Sequence, residues 1–146
     1  MKEININGYK EFIIERSDYP IDHCKNILKN EVTAILGYGP QGRGQSLNMR
    51  DQGFDVIIGL RKGRSWEKAL SDGWEEDVTL FSIEQATEKA TIIQFLLSDA
   101  GQIQAWPEVK SRLNKGDALY FSHGFGIVFH EDTQIIPPND VDVILV

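Results

Sequence analysis

Val32-Thr33-Ala34-Ile35-Leu36-Gly37-Tyr38-Gly39-Pro40-Gln41-Gly42 feeds an apolar run straight into G-x-G-x-x-G. At a strand-to-helix turn, this spacing lets bare backbone approach a pyrophosphate and aims a helix N-terminus at it. Gly37 permits the tight turn, Gly39 leaves room for the phosphate, and Gly42 lets the helix pack close to the strand. Glycines at this spacing also occur in turns that merely connect a strand to a helix. The flanking sequence favours the dinucleotide reading, because a strand precedes the turn and a helical segment follows it.

Downstream the pattern alternates. A first helix is expected from Gly42 to Gln52, ended by Gly53, and Phe54–Ile58 reads as the second strand. Ser65–Ser71 is expected to be helical, and Thr79–Phe81 a short strand. Ser82-Ile83-Glu84-Gln85 has capping-box spacing and opens a third helix. Thr91–Leu97 is an apolar run of strand length. Gly101–Leu113 reads as a fourth helix disturbed by Pro107, and Asp117–Ser122 and Val141–Val146 as the remaining strands. Apolar strands separated by helices imply an α/β fold, a doubly wound, mostly parallel sheet of the Rossmann type over residues 31–146. Residues 1–30 stand outside this pattern. Glu11–Glu15 looks extended, a short helix follows near Ile21–Leu28 with Pro20 in its first turn, and the whole reads as an N-terminal arm.

Ligands of such sheets lie beyond the carboxyl ends of the strands, so the residues there carry the functional reading. After the second strand, an NAD-binding domain is expected to place an acid that accepts from the ribose hydroxyls. This chain instead has Arg61, Lys62 and Arg64, with the hydroxyl of Ser65. Guanidinium groups hold a 2′-phosphate that a carboxylate would repel, which favours NADP over NAD. A solvated basic surface loop is the bland alternative. Ser98-Asp99-Ala100-Gly101-Gln102 follows the fourth apolar run and would lie beside the cofactor. Asp99 has an equally ordinary role as a helix cap. His123 is the only histidine at an expected strand end, where it could position a substrate or pass a proton. His23 and His130 fall outside the pattern and read as structural, as do Trp66, Trp74 and Trp106 as packing residues.

Composition bounds the rest. A chain of 146 residues reads as one domain and can bury about 70% of its unfolded surface. Its net charge of −7 argues against non-specific nucleic-acid binding. A single cysteine, Cys24, excludes an intrachain disulfide or a multi-cysteine zinc site, and reads as a half-buried helix residue. No apolar stretch reaches membrane-spanning length and no signal-peptide pattern opens the chain, so a cytoplasmic protein is expected.

The chain resembles ketol-acid reductoisomerase, the acetohydroxy-acid isomeroreductase of branched-chain amino-acid synthesis. The resemblance is carried by Gly37–Gly42, Leu47-Asn48-Met49-Arg50-Asp51-Gln52-Gly53, Gly59-Leu60-Arg61, Leu96-Leu97-Ser98-Asp99, Phe121-Ser122-His123-Gly124-Phe125, and Pro137–Ile144. It implies that Tyr38, Gly39, Pro40 and Gln41 form the cofactor-phosphate turn, with Pro40 standing where the family commonly has Ser. It implies that Arg61 and Ser65, with Arg64 in the same loop, hold the NADP 2′-phosphate. Asp99 and Gln102 would make further cofactor contacts, and His123 would be the active-site histidine. The family's reaction is a magnesium-assisted alkyl migration followed by NADPH reduction of the rearranged keto acid to a 2,3-dihydroxy acid. Its metal-holding carboxylates lie on a helical C-terminal domain, and no metal ligands are expected in these residues. The expectation is therefore an NADPH-binding chain that is inactive alone and is completed by a separate C-terminal domain or by self-association. A stand-alone, non-catalytic NADP-binding module is the alternative. A piece of another NADP-dependent 2-hydroxy-acid or imine reductase is a third reading, weakened by His123-Gly124-Phe125 and Pro137-Pro138.

Overall fold

The computed structural model describes all of residues 1–146. It divides into two compact units, Met1–Asn30 and Glu31–Val146. The first holds an antiparallel hairpin of β1 (Lys2–Ile6) and β2 (Tyr9–Ile13), a 3₁₀ turn at Arg16–Asp18, and α1 (Ile21–Ile27). Ile6 pairs with Tyr9, leaving Asn7-Gly8 as a two-residue turn with φ of 52° and 90°. Asn-Gly tolerates positive φ at both positions, the requirement of the tight hairpin turn that matches strand twist. The expected extended run is thus one half of a hairpin, with β1 as its other half. Pro20 precedes α1 as its N-cap, with an extended ψ of 149°, and does not lie in the first turn. Cys24 is half-buried on α1.

The second unit runs β3 (Thr33–Leu36), α2 (Pro40–Asp51), β4 (Val56–Gly59), α3 (Arg64–Ser71), β5 (Leu80–Phe81), α4 (Ile83–Lys89), β6 (Ile92–Phe95), α5 (Asp99–Lys110), β7 (Ala118–Phe121), α6 (Phe125–Val128), α7 (His130–Thr133) and β8 (Asp142–Leu145). The six strands lie in the order β5-β4-β3-β6-β7-β8, and every pairing is parallel. The order reverses between β3 and β6, the switch point at which doubly wound sheets bind ligands. Leu36 pairs with both Gly59 and Phe95, so the three central strands end level and their following turns share one edge.

All four residues of β3 are buried, as befits a central strand covered on both faces. Its side chains alternate between two cores. Ala34 and Leu36 join Phe95, Trp106, Val109 and Phe121 on the α4/α5 face, while Ile35 joins Trp66, Ala69 and Trp74 on the α3 face. All three tryptophans are buried, in keeping with a packing role.

Element boundaries depart from the sequence-based expectation in a consistent way. α2 and α5 each begin two residues earlier, at Pro40 and Asp99. Ser98 is therefore the N-cap of α5, its Oγ accepting from the Gly101 N–H at 3.3 Å, and Asp99 is already helical. Pro107 sits within α5, which continues to Lys110 and stops short of Leu113. The Ser82/Gln85 capping box forms as expected, a feature worth about 1 kcal/mol. The short helices α6 and α7 have no counterpart in the sequence pattern.

Candidate functional site at the switch point

Gly37 leaves β3 with φ +113°, and its N–H bonds the Gly59 carbonyl at 3.2 Å. A Cβ here would lie 2.6 Å from the Leu96 carbonyl oxygen, so the turn abuts the end of β6 with no space for a side chain. A Cβ on Gly42 would fall on the Gly37 carbonyl and within 3.5 Å of Ile35, which is the close helix-to-strand approach expected of this position. Around Gly39, the N-cap of α2, a Cβ would meet nothing within 4 Å. The first two contacts serve packing, and the open side is at Gly39.

Pro40 is the first residue of α2. Its ring pre-sets the helical φ, and the N–H it lacks is one that a helix leaves unbonded. The cradle loses a donor, but Gln41 and Gly42 still present theirs in the first turn. No side chain caps this end and no acid lies in its first turn. An uncapped helix N-terminus with bare glycines before it suits an anion.

Tyr38 lies in the turn between β3 and α2 with its side chain turned to the core. The residue borders the cleft, but its side chain is buried and its hydroxyl is already engaged. That hydroxyl donates to Asp72 Oδ2 at 2.9 Å and accepts from Trp74 Nε1 at 2.8 Å. Burial, then the Asp72 carboxylate, pushes the phenol up to about 12. Asp72, the C-cap of α3, also takes a fork from Arg43, Nε at 2.7 Å and Nη2 at 2.9 Å. The guanidinium, helped by the Tyr38 hydroxyl, holds this carboxyl well below the usual carboxylate range. Arg50 completes the cluster, donating to the Asp72 carbonyl at 2.8 Å and stacking 4.8 Å from the Trp74 ring. Nothing local in the sequence marks Arg43, Arg50 or Asp72 as a cluster.

Beside the glycine turn lies an open cleft of about 280 Å³ bordered by Gly37, Leu60, Arg61, Lys62, Gly63, Arg64, Ser65, Ile83, Leu97 and Gly101. It brings Gly37 and Tyr38, the head of the glycine turn, together with the whole basic loop. Gly63 is the N-cap of α3, Arg64 its first residue and Ser65 its second. A cation opposes the helix macrodipole at that end, a cost offset when both face an anion. Arg61 Nη1 donates to Gln104 Oε1 at 2.6 Å. Lys62 is ion-paired with Glu76, and its ammonium lies 3.6 Å from the centre of the Trp66 ring.

Along the same edge, Gln41, Leu97, Gln102, Ser122 and His123 surround a hollow of about 100 Å³. Gln102 is buried, and its Nε2 braces the β6–α5 turn by donating to the carbonyls of Phe95 at 3.1 Å and Leu97 at 3.0 Å. Its Oε1 and Asp99 Oδ1 are both buried without a hydrogen-bond partner. His123 Nε2 stands 3.5 Å from Asp99 Oδ1, longer than a good hydrogen bond. Sequence spacing offers no partner for His123, and the fold brings one from the first residue of α5. A neighbouring carboxylate orients an imidazole, which suits the histidine to positioning or proton transfer.

The strand order, the glycine turn at the switch point and the adjoining cationic helix start define a Rossmann-type nucleotide-binding α/β domain. The family model described as acetohydroxy acid isomeroreductase, NADPH-binding domain, matches residues 27–146, and the chain belongs to that family. It is 54% identical over 147 aligned positions to "Ketol-acid reductoisomerase (NAD(+))" of Desulfosudis oleivorans, covering 100% of this chain and 42% of the relative. It is 51% identical to "Probable ketol-acid reductoisomerase, mitochondrial" of Schizosaccharomyces pombe, covering 100% of this chain and 36% of that one. The chain thus spans well under half the length of these relatives. Among solved structures, an NADH-preferring ketol-acid reductoisomerase from an uncultured archean superposes with a TM-score of 0.74 at 39% identity, over 83% of this chain and 37% of that one.

Proposed function

We propose that these residues form the NADP(H)-binding part of a ketol-acid reductoisomerase. The observation that carries this reading is the cleft that Gly37, at the head of the glycine turn, shares with the arginine-flanked start of α3, next to the uncapped start of α2 that Gly39 precedes. Gly37, Gly39, Gln41 and Gly42, with the backbone of Tyr38 and the shape set by Pro40, would hold the pyrophosphate. Arg61, Arg64 and Ser65 would hold the 2′-phosphate. Ser98, Asp99 and Gln102 would border the nicotinamide side, and His123 would face the reacting substrate. The cofactor, when bound, would supply hydride-transfer chemistry. The chain's own residues fix the phosphates, shape the turn beside the nicotinamide, and hold an imidazole against Asp99.

No group of three or more His, Cys, Asp or Glu is gathered in this chain to hold a metal ion. The whole reaction, converting a 2-acetolactate-type substrate to a 2,3-dihydroxy acid, is proposed to need a further helical domain supplying carboxylates. A cytoplasmic setting belongs to the same proposal. No helix is long and apolar enough to cross a membrane, and three fungal relatives carry mitochondrial in their names.

Fluorescence titration of the 146-residue chain with NADPH and with NADH tests the cofactor assignment. NADPH is expected to bind about tenfold tighter or more, the equivalent of one charge-assisted hydrogen bond. Equal affinities would count against a 2′-phosphate site in the basic loop, and tighter NADH would move the assignment to the non-phosphorylated cofactor, named as NAD(+) or NADH for two relatives. Turnover of 2-acetolactate by the same chain with NADPH and magnesium would overturn its dependence on a further domain.

A further inference from the structure

We infer that Glu76 is a specificity-determining residue, which weakens the preference for a 2′-phosphorylated cofactor by engaging the Lys62 ammonium. The inference rests on the proposed cofactor site. Of the three cations in the loop, Lys62 alone is neutralised by a carboxylate, that of Glu76. Arg61 is held by the neutral Gln104, which positions the guanidinium and leaves its charge available. Lys62 is fixed twice, by Glu76 and by the Trp66 ring at 3.6 Å. Glu76 and Trp66 line a second hollow, which shares Arg61 and Lys62 with the cleft but does not include the glycine turn. Lys62 borders both spaces, so its ammonium has a choice that Glu76 decides.

The electrostatics act in one direction. With Glu76 ionised, the local positive charge facing a 2′-phosphate is that of Arg61 and Arg64, and the charge of Lys62 is offset by the carboxylate beside it. Without it, Lys62 is a free point charge on a flexible stem within reach of the cleft. NADH carries no 2′-phosphate and gains nothing from either state. The ratio of the two affinities is therefore the quantity Glu76 sets. Relatives named for NAD(+) or NADH within a family described by NADPH binding make such a control site useful.

The test is a double-mutant cycle on the 146-residue chain, reading dissociation constants for NADPH and NADH at low ionic strength. Glu76 is about half exposed, so Glu76→Gln leaves packing intact. It is expected to tighten NADPH about threefold to tenfold and to leave NADH within about twofold. Lys62→Ala in the parent should change the ratio little, and in the Glu76→Gln background it should erase the gain. A gain that survives Lys62→Ala, or an unchanged ratio in Glu76→Gln, overturns the inference while leaving the proposed cofactor site standing. A parent chain that binds neither cofactor removes the proposed function itself.

Discussion

Arg43 and Asp72 meet through two parallel hydrogen bonds, 2.7 and 2.9 Å long, across 29 residues of sequence. Arg43 lies in the first turns of α2 and Asp72 closes α3, so the fork ties the helix that starts at the glycine turn to the helix that starts at the basic loop. Asp72 has its folded value depressed, chiefly by this guanidinium. Its contribution to stability is complete above the unfolded carboxylate value of about 4 and is lost as pH falls through the lower folded value. Asp72→Asn should lower the urea midpoint at pH 7 and flatten its decline below about pH 4. An acid limb unchanged in the variant would mean that the pair contributes nothing.

Tyr38 gives the complementary alkaline behaviour. Its folded value, about 12, lies above the ordinary phenol value of about 10. Its contribution is present below about pH 10 and is lost as pH rises toward the folded value. Tyr38→Phe should remove that decline and also leave the indole N–H of the buried Trp74 without a partner. The expected loss at neutral pH is about 1–3 kcal/mol, read by urea denaturation.

Gly39 and Gly42 should separate binding from folding. Gly39 has φ −72° and ψ −173°, open to any residue and suited to the position before Pro40. Gly39→Ala should leave stability within about 0.5 kcal/mol, yet weaken NADPH about tenfold by filling the space left for a phosphate. Gly42→Ala should cost about 1–3 kcal/mol, because its Cβ would meet the Gly37 carbonyl. Thermal melts with cofactor titrations check both. Equal effects of the two variants on folding would contradict the assigned contacts.

Arg61→Ala combined with Arg64→Ala should weaken NADPH by about tenfold or more and leave NADH within about twofold. Raising the salt concentration should reduce the parent's preference in the same direction. Parallel losses for both cofactors would place the arginines elsewhere than on the 2′-phosphate.

Much of the fold is legible in the sequence because its signals are local. Ser82 and Gln85 lie three residues apart and form the capping box their spacing announces. Gly37, Gly39 and Gly42 occupy the strand-to-helix turn, and the apolar runs are parallel strands. Asn7-Gly8 is equally local, a hairpin signature that lies outside the alternating strand-helix pattern and is easily missed beside it. The helix starts at Pro40 and Asp99 are masked by nearby glycines, which draw the expected boundary inward. Long-range pairings leave no such local trace. Asp72 joins Arg43 and Tyr38, Asp99 joins His123, and Glu76 joins Lys62 only once the sheet has brought their elements together. The basic loop is legible as charge, but which of its cations is free depends on those pairings.

β3 is buried along its whole length, hydrogen-bonded on both edges and packed on both faces. Amides of Ala34, Ile35 and Leu36 should accordingly be among the last to exchange with deuterated solvent, opening only with the whole domain. Gly37 follows without an intervening residue, so the glycine turn is fastened directly to this central strand. Protection measured along this segment should fall off abruptly after Gly37, giving a rigid foundation beneath a rim left accessible to whatever binds there.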